Sequence, residues 1–272
     1  MTEIRLIGPR GTGKTTYLAT LAAFPHKKQF PGLAVDPIEE PAEDLVTKAE
    51  NILKKGYPLE PSDKGNEPWY RFNITIPPTK GLSHATKFEL NAVDYAGEIF
   101  EDIAKPHRWS EVESYVQDWL TAEGWLIMLT DWEPENDVPL YKRAFERLWQ
   151  EMTAHEKISP TSAKLRIAVI MAKCERGELW PGRLEPGDDL FKIRLPETHH
   201  FLTTKLPPQR LQFFACSSFG VLGRRNPRPN RRIPSYGPDN ASLRKPSVWH
   251  PYGILAPIYW LSTGRILHDQ RL

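Results

Sequence analysis

Apolar and polar positions change period several times along the chain, and each change predicts an element. The β-branched run EIRLIG (3–8) leads into a glycine-rich loop, after which Leu18, Leu21 and Ala22 recur at helical spacing and predict a helix over about 14–23. Proline punctuation predicts a loop from Phe24 to Pro41, then a helix from Glu43 to Lys55 that Gly56 and Pro58 end. WYRFNITIP (69–77) alternates as a half-buried strand does, KGLSHAT (80–86) turns the chain, and KFELNAVDYAGE (87–98) reads as the returning antiparallel strand. Ser110 and Glu113 form a capping box for a helix with the stripe Val112, Tyr115, Val116, Trp119 and Leu120. GWLIMLTD (124–131) is almost continuously apolar, as a parallel strand covered on both faces should be.

Asp137 is placed to cap the next helix and Pro139 suits its first turn; its stripe is Leu140, Tyr141, Ala144, Phe145, Leu148, Trp149 and Met152. LRIAVIMAK (165–173) and LQFFACSS (211–218) are further buried strands, and a last helix over about 251–263 stops at Gly264. Strands alternating with helices predict an α/β fold of three layers, α/β/α, with a mainly parallel sheet and one antiparallel strand. One domain over residues 1–272 is expected, with loop-rich insertions at about 176–208 and 223–248, where many of the 26 prolines fall.

Composition changes this picture little. The 272 residues carry a net charge of only +2, so the whole-molecule field selects no class of partner. Two cysteines, Cys174 and Cys216, make neither a disulfide framework nor a zinc spacing and point to reducing, cytoplasmic conditions. The chain starts on a strand pattern rather than a basic and then apolar leader. Its longest apolar run, Ile254–Leu261, falls short of the roughly 20 residues a membrane span needs.

The loop carries the chemistry. Gly8-Pro9-Arg10-Gly11-Thr12-Gly13-Lys14-Thr15 matches G-x-x-x-x-G-K-[ST], the phosphate loop of nucleoside-triphosphate sites (P-loop). Gly8, Gly11 and Gly13 let backbone N–H groups turn inward around a phosphate, with Thr12 among them. Lys14 reaches the β- and γ-phosphates, the Thr15 hydroxyl is a ligand for Mg²⁺, and Thr16 continues the helix N-terminus with its partial positive charge. Asp94 ends a strand and Gly97 follows three residues later. A carboxylate there holds Mg²⁺ through water, and a glycine N–H after it senses the γ-phosphate.

With these two motifs and the antiparallel strand before Asp94, residues 4–261 resemble the translation-factor-related GTPase class that includes the Ras-like proteins. DYAGE (94–98), GYPLEPS (56–62) and WHPYGILAPIYWL (249–261) are similar to the prokaryotic double-GTPase families, proposed to act in multi-gene conflict or regulatory systems. The resemblance implies GTP and Mg²⁺ as ligands and a protein partner that reads switch segments around 56–68 and 94–109. It implies a switch hydroxyl on Mg²⁺, for which Ser62 is best placed and Thr47 less well. A base-reading motif falls on MAKCE (171–175): Lys173 lies over the base and Glu175 stands where an aspartate reads guanine, with Ala172 in place of a polar residue. Guanine against adenine, and so GTP against ATP, stays open because Glu175 is one methylene longer.

ACSSFG (215–220) implies a small-residue loop, around Ser217, that offers an N–H to the base carbonyl. Glu98 occupies the position of the water-orienting glutamine, which is the reason to expect slow turnover. Arg10 has two readings: a guanidinium folded over the γ-phosphate in cis, or one that points to solvent or a partner.

Two other functions stay open. A P-loop ATPase would use Asp131 and Glu133 of LTDWEP to activate water, and a scaffold component would bind nucleotide and turn over little. The arginine run Arg224–Arg232 reads first as a solvated loop and second as a stretch neutralising nucleic-acid phosphates. His199-His200 lacks partners at ligand spacing. Trp69, Trp132, Trp180 and Trp249 lie in loops or at element ends, where they cover the core or mark a partner surface.

Overall fold

The computed structural model describes residues 2–24, 32–51, 53, 65, 67–78, 84–158, 164–223, 225–232 and 241–267. Seven strands form one sheet: β1 (Thr2–Ile7), β2 (Ala34–Pro37), β3 (Trp69–Ile76), β4 (Thr86–Asp94), β5 (Gly124–Leu129), β6 (Arg166–Met171) and β7 (Leu211–Ala215). Their order is β2-β3-β4-β1-β5-β6-β7. β3 pairs antiparallel with both β2 and β4 while the remaining pairs are parallel, so one strand runs against six.

Period-two alternation sends successive residues of each central strand to opposite faces. Ile4 and Leu6 of β1, with Leu126 and Met128 of β5, pack on one side beneath α1 (Lys14–Ala23), α2 (Glu40–Glu50) and α8 (Ala256–Thr263). Ile7, Trp125, Ile127 and Leu129 pack on the other beneath α3 (Gly97–Ile103), α4 (Trp109–Thr121), α5 (Arg143–Ile158) and α7 (Pro196–Lys205). The result is the expected three-layer α/β/α arrangement. Gly264 ends α8 in the left-handed region at φ 71°, which its missing Cβ permits.

Several local expectations are corrected. Residues 34–37 form the edge strand β2 instead of continuing a loop; four residues ending in Pro37 carry too little pattern to read, and proline is tolerated at an edge. α2 begins at Glu40, where Pro41 suits the first turn, and not at Glu43. Ser110 does not cap α4, because a 3₁₀ turn over Pro106–Arg108 runs straight into it and supplies the start.

The insertion at 176–208 is largely helical: short turns at Trp180–Leu184 and Gly187–Phe191 lead through α6 (Lys192–Arg194) into α7. The later insertion holds two small ribbons, β8 (Val221–Gly223) with β9 (Asn226–Pro229) and β10 (Arg231–Arg232) with β11 (Ser242–Leu243). Buried Asn230 ties them, accepting from the Lys245 N–H and donating to its carbonyl, so Arg228, Arg231 and Arg232 lie in paired strands rather than a loop, while Arg225, Arg228 and Arg232 stay solvent-exposed. Among the described residues no helix is long and apolar enough to cross a membrane.

Asp137 does cap a helix, but a different one. Its carboxylate accepts from the N–H groups of Glu197 at 2.9 Å and Thr198 at 3.0 Å, at the start of α7, sixty residues away in sequence. Asp137→Ala leaves two helix-end donors without an acceptor in a buried site, so a loss of about 1–2 kcal/mol is expected. Thermal unfolding should show a fall in Tm of several degrees, with Asp137→Asn falling less.

Candidate functional site

The P-loop connects β1 to α1 at the centre of the sheet. Gly8 packs so closely on the Met128 carbonyl of β5 that a Cβ would collide with it, and Gly11 and Gly13 turn back at φ 72° and 94°. The Thr12 hydroxyl donates to the Pro9 carbonyl at 3.0 Å and steadies the curve. Lys14 is buried, and its Nζ donates to the carbonyls of Gly8 at 2.7 Å and Pro9 at 3.2 Å. Burial lowers the pKa of this ammonium, and the nearby carboxylates of Asp94 and Glu101 oppose that effect. α1 has no side-chain cap and no acidic residue in its first turn, where Lys14, Thr15 and Thr16 begin the helix. A buried cation and uncapped N–H groups thus face the same loop, which is the electrostatic requirement for an anion.

Parallel pairing sets Asp94 of β4 opposite Leu6 of β1 and brings its carboxylate to the loop. The Thr15 hydroxyl donates to Asp94 Oδ2 at 2.7 Å. A hydroxyl and a carboxylate oxygen side by side at the mouth of this loop are the hard oxygen donors that Mg²⁺ takes, so the residues present fit that ion. Gly97 opens α3, and a Cβ there would fall 2.6 Å from the Arg10 Cα; only glycine lets α3 sit this close to the loop.

Arg10 does not fold over the loop as an in-cis arginine. Its guanidinium reaches α3, donating through Nε and Nη2 to Glu101 Oε2 at 3.1 and 2.9 Å and through Nη1 to Glu98 Oε1 at 3.1 Å. The Arg10 backbone N–H donates to Glu101 Oε1 at 3.0 Å. This pairing, with Glu101 first, raises the pKa of Arg10 further. Glu98 is therefore engaged by Arg10 rather than held ready for water. Glu101 is a site residue that pattern reading missed. Its signal was weak: an acid three residues after Glu98, on the same helix face.

The ends of β5, β6 and β7 carry the other residues that the sequence singles out. Glu175 is only 1% exposed and accepts from the Ser217 hydroxyl at 2.7 Å. The same hydroxyl oxygen takes the Gly220 N–H at 2.8 Å, so Ser217 contributes its side chain as a clamp for Glu175. Lys173 takes a left-handed backbone at φ 59°, and its Nζ sits 3.7 Å from the Trp132 ring centroid. Cys174 and Cys216 are buried on opposite sides of the sheet, and burial pushes both thiols up, so they remain protonated packing groups.

Other candidates lie elsewhere. Ser62 is outside the described residues, and Thr47 is exposed on α2. Asp131 accepts from Arg176 Nη1 at 2.6 Å, while Glu133 accepts from the Asn136 amide. The His199 ring packs on Phe213 with centroids 5.0 Å apart. Trp249 is a core residue that donates to the Ser218 carbonyl at 2.8 Å, Trp69 lies against buried Arg5, and Trp180 packs edge-on to Tyr252. Trp132 stays 41% exposed.

No protein-family model and no curated protein matches the sequence. Among solved structures, the chain is similar to the Ski7 GTPase-like domain of S. cerevisiae bound to GTP, at 13% identity and a TM-score of 0.43. That likeness covers 80% of this chain and 42% of the other.

Proposed function

We propose that the chain binds a nucleoside triphosphate with Mg²⁺, GTP in the first instance, and works as a GTPase-like switch with slow intrinsic turnover. The observation that carries this is the loop itself: buried Lys14, the uncapped start of α1 and the Thr15–Asp94 oxygen pair converge on one point. Lys14 and the loop N–H groups would bind and orient the phosphates, and Thr15 and Asp94 would hold Mg²⁺, directly and through water. When bound, the ion would supply neutralisation of phosphate charge. Gly97 lies against the loop, so a γ-phosphate would press on the start of α3, and residues 94–109 are the segment a protein partner would read.

Slow turnover follows from Arg10 and Glu98 holding each other, which leaves neither aimed at an attacking water. The ATPase reading is disfavoured because Asp131 is bound to Arg176 on the base side of the site. A cytoplasmic setting and a regulatory or conflict system of the double-GTPase kind remain part of this reading on sequence resemblance alone.

Calorimetric titrations with GTP and ATP, each with Mg²⁺ and with EDTA, test it. Tighter Mg²⁺-dependent binding of GTP is expected, with phosphate release far slower than binding. A preference for ATP would discard the guanine assignment, and binding indifferent to Mg²⁺ would discard the roles of Thr15 and Asp94.

A further inference from the structure

We infer that Trp132 is a specificity-determining residue of this site: together with Lys173 it forms the wall on which the flat face of a purine stacks. The inference rests on the nucleotide reading above and deepens it at the base end.

Three observations meet at this indole. Trp132 stands just beyond the C-terminal end of β5 and Lys173 just beyond that of β6, the first and second strands out from β1 and its P-loop. Strand spacing puts them about 5 and 10 Å along the sheet edge, where ligands of open α/β sheets lie. Lys173 is, among the described residues, the one non-glycine residue at positive φ. Such strain persists where the surroundings over-determine it, and here both neighbours are fastened: Ala172 N–H to the Leu129 carbonyl and Cys174 N–H to the Cys216 carbonyl, each at 2.9 Å. From this backbone the lysine reaches the indole, with Nζ 3.7 Å from the ring centroid.

Trp132 is also a large aromatic left 41% exposed with cations gathered on it. Arg231, from the β10 ribbon, lies 5.5 Å from its centroid, and Arg176, bound to Asp131, lies 6.0 Å away. A π-surface this exposed does not complete the core, and it suits a second flat group. Glu175, two residues past Lys173, is buried and fixed by Ser217, so an acceptor for a base edge stands next to a wall for a base face. The two together select by shape and by edge.

The test compares GTP with inorganic tripolyphosphate, both with Mg²⁺, in titrations of the full chain and its Trp132→Ala and Trp132→Phe variants. Base–aromatic stacking changes affinity by about tenfold or more. Trp132→Ala should therefore weaken GTP at least about tenfold and leave tripolyphosphate unchanged, while Trp132→Phe keeps most of the GTP affinity. Quenching of tryptophan emission on GTP addition should shrink in the Phe variant. Equal weakening of both ligands would overturn the inference by showing a general disturbance of the site, and unchanged GTP binding in the Ala variant would overturn it directly. If wild-type protein bound tripolyphosphate but gained nothing from the base, Trp132 would lose its role while the phosphate site stood. Failure of both ligands to bind would remove the nucleotide reading as well.

Discussion

Lys14→Ala is expected to weaken triphosphate binding at least about 100-fold, because it removes the buried cation of the P-loop. Charged hydrogen-bond partners in desolvated sites typically cost about 2–5 kcal/mol when truncated. Lys14 is buried with its ammonium turned onto the Gly8 and Pro9 carbonyls, and burial disfavours its charged form. A phosphate placed in the loop would offset the cost of burying this cation. Burial disfavours the charge while two loop carbonyls and the nearby carboxylates favour it, so these effects largely offset and thermal unfolding of Lys14→Ala is expected close to wild type. Calorimetric titration and thermal unfolding, taken together, separate loss of the site from loss of the fold. Affinity within twofold of wild type would show that the loop is not the binding site.

Glu101→Gln is expected to act in the opposite direction, raising triphosphate affinity about tenfold with a smaller effect on diphosphate. The Glu101 carboxylate takes the Arg10 backbone N–H and guanidinium, and its charge is felt at Lys14. It thus holds groups of the loop much as a terminal phosphate would. Glu101 is mostly covered, at 18% exposed, whereas Glu98 is 49% exposed, so Glu98→Gln should matter less. Screening limits the gain to about 1 kcal/mol and makes it shrink with salt. A loss of affinity in Glu101→Gln would mean that this carboxylate organises the loop for ligand instead of competing with it.

Much of the layout was legible because it depends on local pattern. The continuous apolar runs at 124–131 and 165–173 could only be covered strands, and both are. The stripes of α4 and α5 pointed inward as the 3.6-residue period requires. The P-loop announced itself because phosphate cradling needs glycines, a lysine and a hydroxyl at fixed offsets. Capping was poorly legible. Asp137 and Ser110 have the right residue types beside helix starts, yet side-chain oxygens bond to whichever donors the fold delivers, and for Asp137 those belong to α7.

What the sequence determined alone is therefore the central strands, the helices that cover them and the phosphate-loop motif, since each follows from periodicity or from backbone geometry within a few residues, whereas the edge strand at 34–37 and the elements inside 176–208 and 221–243 carry no such pattern. Tertiary structure decided which side chains meet. The Leu6–Asp94 register of β1 and β4 placed a carboxylate on Thr15, close packing at Gly97 let α3 bring Glu101 to Arg10, and neighbouring strand ends set Trp132 under Lys173. Those contacts span tens of residues, up to the 91 between Arg10 and Glu101, and depend on strand order and ångström-scale approach, neither of which a linear pattern encodes.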